Sequence, residues 1–157
     1  MRVIHFTGAA VVAALVAVGA TAATAGSAKK VKFTCTVRLQ TLAAPGASGE
    51  DFGTVACTPV FGKGVQHDTI TVTPTSKTTA TGTGPFKAFF DTGTIHGTTK
   101  LTASPPSGGV VTYTGTAKFT GGTGAYKDVR GSATSECSSP DGGTHTTCTT
   151  KGTVTGI

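Results

Sequence analysis

The sequence is poor in the residues that build helices and large aromatic cores. Its 157 residues include no tryptophan and one methionine, and aromatic residues make up 6% of the chain. Charged residues make up 13%, where roughly 25% is usual. Leucine and glutamate, both good helix formers, are also scarce. These absences argue against a helix bundle and against an α/β nucleotide-binding domain.

Threonine and glycine are the two residues in which the sequence is rich. Threonine is the commonest residue and glycine occurs 23 times. A β-branched side chain such as threonine suits a pleated strand, and glycine marks turns and bulges. The net charge of +6 is modest and scattered, with no basic stripe interleaved with aromatic residues, so we expect no nucleic-acid partner. The composition predicts an all-β folded chain rather than a disordered one.

The N-terminal segment has the three-part layout of a secretory signal peptide. A short basic start, Met1-Arg2, precedes an apolar stretch over residues 9–20, and Ala23-Thr24-Ala25 offers a small-residue cleavage site. The stretch is shorter than the roughly 20 residues of a membrane span, although an uncleaved anchor is the alternative. We therefore predict a signal peptide at 1–25, one domain at 26–157, secretion to the medium or periplasm, and no stable membrane insertion after cleavage.

Four cysteines, an even number in an exported chain, indicate two disulfide bonds. Three pairings are possible, and we favour the two that join sequence neighbours, Cys35 with Cys57 and Cys137 with Cys148, as adjacent antiparallel strands would. The spacings are too wide for a zinc site or a redox dithiol. We expect no metal and no cofactor.

Period-two alternation of apolar and polar residues predicts about eight strands. The first is clearest, with Val31, Phe33, Cys35 and Val37 on one face. We place turns at Gly84-Pro85 and at five other clusters of glycine, proline or aspartate. Short strands at even spacing favour an eight-stranded antiparallel β-barrel, with a sandwich as the alternative. The predicted strands cover about 31–40, 52–59, 65–73, 77–83, 86–103, 111–119, 131–137 and 144–155.

Three ionisable residues fall on the apolar faces of these strands and form the candidate catalytic set. Asp68 shares its parity with Ile70, Asp91 with Phe89, and Tyr113 with neighbouring apolar residues. If these faces point inward, burial raises the pKa of each carboxyl group and makes it a usable acid near neutral pH. The alternative is that the aspartates lie beside turns or bulges. Hydrolase signatures such as Gly-x-Ser-x-Gly are missing from the sequence.

The segment from Phe119 to Gly131 resembles a glycine-rich motif of the allene oxide cyclases and dirigent proteins. The matching positions are Gly121, Gly122, Gly124, Tyr126, Arg130 and Gly131. The preceding Tyr113-x-Gly-x-Ala-x-Phe119 and the earlier Gly93-Thr-Ile-x-Gly97 are also similar, so the resemblance spans about residues 86–135. It implies an eight-stranded antiparallel barrel with an apolar cavity, often oligomeric in the plant families. The families' catalytic residues have no aligned counterparts here.

Two functions remain open on the sequence alone. The first is a secreted binding or structural module for a small apolar ligand or an envelope component. The second is a cyclase- or isomerase-type enzyme that acts on a small organic substrate within the barrel. We favour the first because no complete catalytic constellation is readable.

Overall fold

The computed structural model describes residues 28–157, and these form a closed barrel of eight antiparallel strands. The predicted signal peptide lies outside the described residues. Each strand pairs with the next along the chain, and the last pairs with the first. The strands are β1 (Val31–Thr41), β2 (Gly49–Thr58), β3 (Gly62–Pro74), β4 (Ala80–Phe90), β5 (Gly93–Ala103), β6 (Val111–Gly122), β7 (Arg130–Ser139) and β8 (His145–Thr155). The predicted barrel is confirmed, and a single 3₁₀ turn, Gly124–Tyr126, interrupts the β6–β7 connection.

Both preferred disulfides are confirmed, and both lie inside the barrel. Cys35 bonds to Cys57 across β1 and β2, and Cys137 bonds to Cys148 across β7 and β8. In each case the two cysteines face one another directly in the strand register. Two disulfides are compatible with an oxidising compartment outside the cytoplasm.

The predicted turn at Gly84-Pro85 is wrong, because both residues lie within β4. Proline has no N–H group to donate and is tolerated in a sheet where a ladder bond is missing. Here the pairing of β4 with β3 is interrupted opposite Gly84 and Pro85, while β5 still pairs with β4. The actual turn is Asp91-Thr92, which divides the predicted strand 86–103 in two. Phe89, predicted to face inward, is therefore on the outer face and 40% exposed.

One end of the barrel is closed by packed aromatic rings. The ring of Phe33 makes edge-to-face contacts with Phe61 at 5.4 Å and with Phe119 at 5.5 Å between centroids. Tyr126 packs beneath them against Phe61 and Phe90, and its hydroxyl accepts a hydrogen bond from Thr92 at 2.7 Å. The glycine-rich motif thus carries the tyrosine ring under the rim.

Gly97 provides the space into which the Phe86 ring fits. A Cβ atom at this position would overlap the backbone carbonyl oxygen of Lys118 and come within 2.8 Å of the Phe86 ring. We expect Gly97→Ala to lower the free energy of unfolding by about 2 kcal/mol, because overpacking forces the backbone to shift. Urea unfolding measures this. Thr98→Ala, on the outer face of the same strand, is the control, and equal effects of the two substitutions would contradict the account.

Candidate functional site

The end of the barrel opposite the aromatic rings is open and contains a cavity of about 530 Å³. The loops after β1, β3, β5 and β7 surround its mouth, and the inward faces of the strands form its wall. Most of the wall is aliphatic. Its apolar side chains include Leu39, Ile70, Val72, Leu101, Ala103 and Val111. A volume in the range of about 300–1,000 Å³ is typical of sites for small organic molecules.

Asp68 lies at the bottom of this cavity, on β3, and only 5% of its surface is exposed. Its two carboxylate oxygens accept hydrogen bonds from the Gln66 side-chain amide at 2.9 and 3.0 Å. Burial raises the pKa of Asp68 to about 7, because the charged form loses its hydration. The hydrogen bonds from Gln66 act in the opposite direction but do not offset the burial. A carboxyl group that titrates near neutral pH is a candidate functional group.

Asp51 faces Asp68 directly across the β2–β3 register. Directly opposed residues on one face of an antiparallel pair have Cβ atoms about 5 Å apart. Burial raises the pKa of Asp51 as well, while Thr41 and His67 act to lower it. The negative charge of Asp51 in turn contributes to the raised pKa of Asp68. The cavity therefore holds a pair of interacting carboxyl groups.

Asp51 is not among the site residues predicted from the sequence, although the alternation along its strand indicates it. Asp51 alternates with Gly53, Val55 and Cys57, and the last two of these are buried inside the barrel. The predicted strand begins at residue 52 and therefore does not include Asp51. In the structure the strand begins at Gly49. Asp51 therefore lies on the same inward face of β2 as Val55 and Cys57.

Tyr113 also lines the cavity, from β6. Burial raises the pKa of its phenol, and the negative charges of Asp51 and Asp141 raise it further. Asp141 lies in the β7–β8 loop, and the glycines that follow it line the same cavity. The structure thus brings Asp68 and Tyr113 to one cavity, as the inward-facing parity predicted.

Asp91 does not line the cavity that Asp68 and Tyr113 share. It lies in the two-residue turn between β4 and β5 and is exposed. This turn is at the closed end of the barrel, where Thr92 contacts Tyr126. The expectation that Asp91 faces inward is wrong, because the turn interrupts the parity that was read continuously from Phe89 to Ile95.

The β7–β8 loop at the mouth is fixed by the side chain of Asp141. Its carboxylate accepts hydrogen bonds from the Ser139 hydroxyl at 2.9 Å and from the His145 backbone N–H at 2.8 Å. The His145 ring lies 2.6 Å from the other carboxylate oxygen. Hydrogen bonds from His145 lower the pKa of Asp141 to about 2. These contacts hold the loop in one conformation at the side of the cavity.

A second, smaller cavity of about 70 Å³ lies deeper in the barrel. Both disulfides line it, and Asp68 lies between this inner cavity and the open one. Its polar groups include Ser135 and Thr150, which are buried and joined by a 2.9 Å hydrogen bond. The inner cavity has room for a few water molecules, so an organic ligand fits only in the outer one.

The part of the chain from 28 to 157 has no group of three or more histidine, cysteine, aspartate or glutamate side chains that could hold a metal ion. It also has no helix long and apolar enough to cross a membrane.

Neither a protein-family model, nor a curated protein, nor a solved structure matches the sequence. The site must therefore be interpreted from its own geometry.

This arrangement of side chains can bind a small molecule and can exchange protons with it. Two adjacent carboxyl groups and a phenol lie in one largely aliphatic cavity that opens to solvent at the loops. The cavity wall contains no histidine and no free thiol among the described residues, since all four cysteines are in disulfides. Nucleophilic catalysis of the serine or cysteine type has no support in such a set of residues.

Proposed function

We propose that this protein is a secreted binding module that holds one small, largely apolar molecule in the open cavity of the barrel. The observation that carries the proposal is the cavity itself, about 530 Å³ in volume, mostly aliphatic, and closed below by Asp68. Small barrels either fill with side chains or hold a single ligand. This barrel is filled by aromatic side chains at one end and has a cavity at the other.

The buried carboxyl group at the bottom of the cavity supports a binding role. A buried, ionisable side chain without a cationic partner costs stability, and such costs concentrate at functional sites. The ion pairs within 4.0 Å in the described part of the chain are His67 with Glu50 and His145 with Asp141. Neither of these pairs includes Asp51 or Asp68. An aliphatic side chain at position 68 would make the folded barrel more stable than the buried carboxyl group does.

The family and the compartment belong to the same proposal. The glycine-rich segment 119–131 supports membership of the allene oxide cyclase/dirigent-like barrels, and the leader at 1–25 supports secretion. The resemblance also implies self-association. Native mass spectrometry of the exported protein would give the cleavage site, the oligomeric state and any co-purified molecule in one spectrum.

Blocking the cavity tests the binding function. We expect N-phenyl-1-naphthylamine, a neutral apolar dye, to bind with one site per chain and to fluoresce more strongly when bound. Ala103→Trp places a large ring in the cavity wall and should weaken dye binding by at least about tenfold. Thr102→Trp puts the same ring on the exposed outer face of β5 and is the matched control. Equal dye binding by wild type and both variants would rule out this cavity as the site.

A second candidate function rests on the pKa of Asp68. A carboxyl group with a pKa of about 7, in the same cavity as Tyr113, favours an isomerase- or cyclase-type enzyme that moves a proton on its substrate. Deuterium oxide distinguishes the two functions. An isomerase would incorporate deuterium into a co-purified ligand, and Asp68→Asn would prevent it, whereas a binding module would leave the mass of the ligand unchanged.

A further inference from the structure

The two carboxyl groups at the bottom of the open cavity have no ion-pair partner within 4.0 Å in the described part of the chain. Asp68 is 5% exposed, and its hydrogen bonds come from one neutral amide, that of Gln66. Asp51 lies beside it across the strand pair, and neither residue takes part in an ion pair within 4.0 Å. A buried carboxylate is stable when a cation or several hydrogen-bond donors satisfy it. The protein supplies only the Gln66 amide to Asp68, and only the Thr41 side chain and the charge of His67 to Asp51.

We propose that the ligand of this cavity carries a protonated amine that lies between Asp51 and Asp68, with its apolar part against the aliphatic wall. This inference rests on the proposed binding function and adds the chemical class of the ligand. An ammonium group offers three N–H donors, enough to bond both carboxylates at once. The ligand class is thus a small aliphatic or arylalkyl amine.

An amine explains the site better than a metal ion does. Calcium and magnesium ions bind six or more oxygen ligands, and calcium sites are usually built around several carboxylates. The described residues bring no third acidic or histidine side chain to Asp51 and Asp68. A large, mostly aliphatic volume above the carboxyl groups also serves no purpose for a bare ion, whereas it fits a hydrocarbon chain.

The charges that face the pair make the predicted affinity depend on pH. The titratable groups on the neighbouring strands are Asp68 and His67 of β3, Asp51 of β2 and, across the cavity, Tyr113 of β6, while Gln66 is a neutral donor. Lys77 lies at the mouth of the cavity, in the β3–β4 loop. Asp68, with a pKa of about 7, keeps its proton at pH 5.5 and attracts an ammonium group weakly, whereas at pH 8 it is mostly ionised. We therefore expect an amine to bind more tightly at pH 8 than at pH 5.5.

Three probes of equal chain length separate the amine from its alternatives. Isothermal titration calorimetry at pH 8 and low salt would compare octan-1-amine, octan-1-ol and octanoate on the whole protein. We expect the amine to bind at least about tenfold more tightly than the alcohol, and octanoate to bind most weakly. Asp68→Asn and Asp51→Asn should each remove most of that preference while changing the affinity for the alcohol by less than about threefold. Asp128→Asn, an exposed aspartate at the closed end, is the control.

The outcomes distinguish this inference from the proposed function. Binding of the alcohol and the amine with equal affinity would overturn the inference and leave the apolar binding site intact. An amine preference that survives both asparagine variants would overturn it as well. A stronger response to calcium chloride alone than to the amine would assign the carboxyl groups to a metal. If none of the three probes binds, the binding function itself is wrong.

Discussion

Asp68→Asn is expected to make the barrel more stable at pH 8, by roughly 4 kcal/mol in the free energy of unfolding. The pKa of Asp68 is about 7 in the folded protein and near its ordinary value of 3.8 in the unfolded chain. Between these two values the folded state keeps a proton that the unfolded state has lost. Stability of the wild type therefore falls as pH rises through this window and levels off above about pH 7. Asparagine keeps one of the two hydrogen bonds from Gln66, through its single carbonyl oxygen, and does not titrate.

Urea unfolding of the two proteins at pH 5 and pH 8 measures this effect. We expect the advantage of Asp68→Asn to grow by roughly 2–3 kcal/mol between the two pH values. Taking the difference between the proteins cancels the contributions of histidines and of Asp141, whose lowered pKa affects stability only at strongly acidic pH. Asp91→Asn, in the exposed β4–β5 turn, is the control and should follow the wild type. A stability difference that does not change with pH would show that Asp68 is not a buried acid.

Removing the disulfides is expected to have the other large effect. In the chain-entropy model, losing either bond costs about 3 kcal/mol, and losing both costs about 6 kcal/mol. The bonds join cysteines that are separated by 22 and by 11 positions in the sequence. Because the entropy of loop closure grows with loop length, Cys35→Ala/Cys57→Ala should cost about 0.6 kcal/mol more than Cys137→Ala/Cys148→Ala.

Chemical unfolding of the oxidised protein and of the two double-alanine variants gives these values. Both bonds join strands that are already hydrogen-bonded neighbours, so the barrel topology should survive in each variant, as judged by far-ultraviolet circular dichroism. A loss of less than about 1 kcal/mol in either variant would contradict the view that the bonds act by restricting the unfolded chain.

The fold could be predicted from the sequence wherever the alternation was uninterrupted and the turn residues were strong. The first strand and the disulfide pairing both follow from such local patterns, and the structure confirms them. The strand around Pro85 could not be recovered in this way. Proline and glycine there indicate a turn, but the interrupted pairing with β3 lets the strand continue. The tertiary arrangement outweighed the local preference.

The candidate site was predictable only in part, for the same reason. Asp68 and Tyr113 were found because each lies within a strand whose parity is unbroken. Asp91 was misplaced because the turn Asp91-Thr92 lacks the glycine or asparagine that usually marks a tight hairpin. Asp51 was missed because its strand starts earlier than its apolar residues indicate. The pairing of Asp51 with Asp68 is a property of the register between two strands, and no local pattern encodes it.

The most direct test of the central claim is to locate a bound apolar molecule on the barrel. A titration of the isotope-labelled protein with octan-1-ol, followed by amide nuclear magnetic resonance shifts, would map the site residue by residue. We predict saturable shifts at Ile70, Ala103 and Val111, around the open cavity, with little change at Tyr126 and Val129 near the closed end. Shifts that are absent, scattered over the outer surface, or concentrated at the closed end would contradict the account.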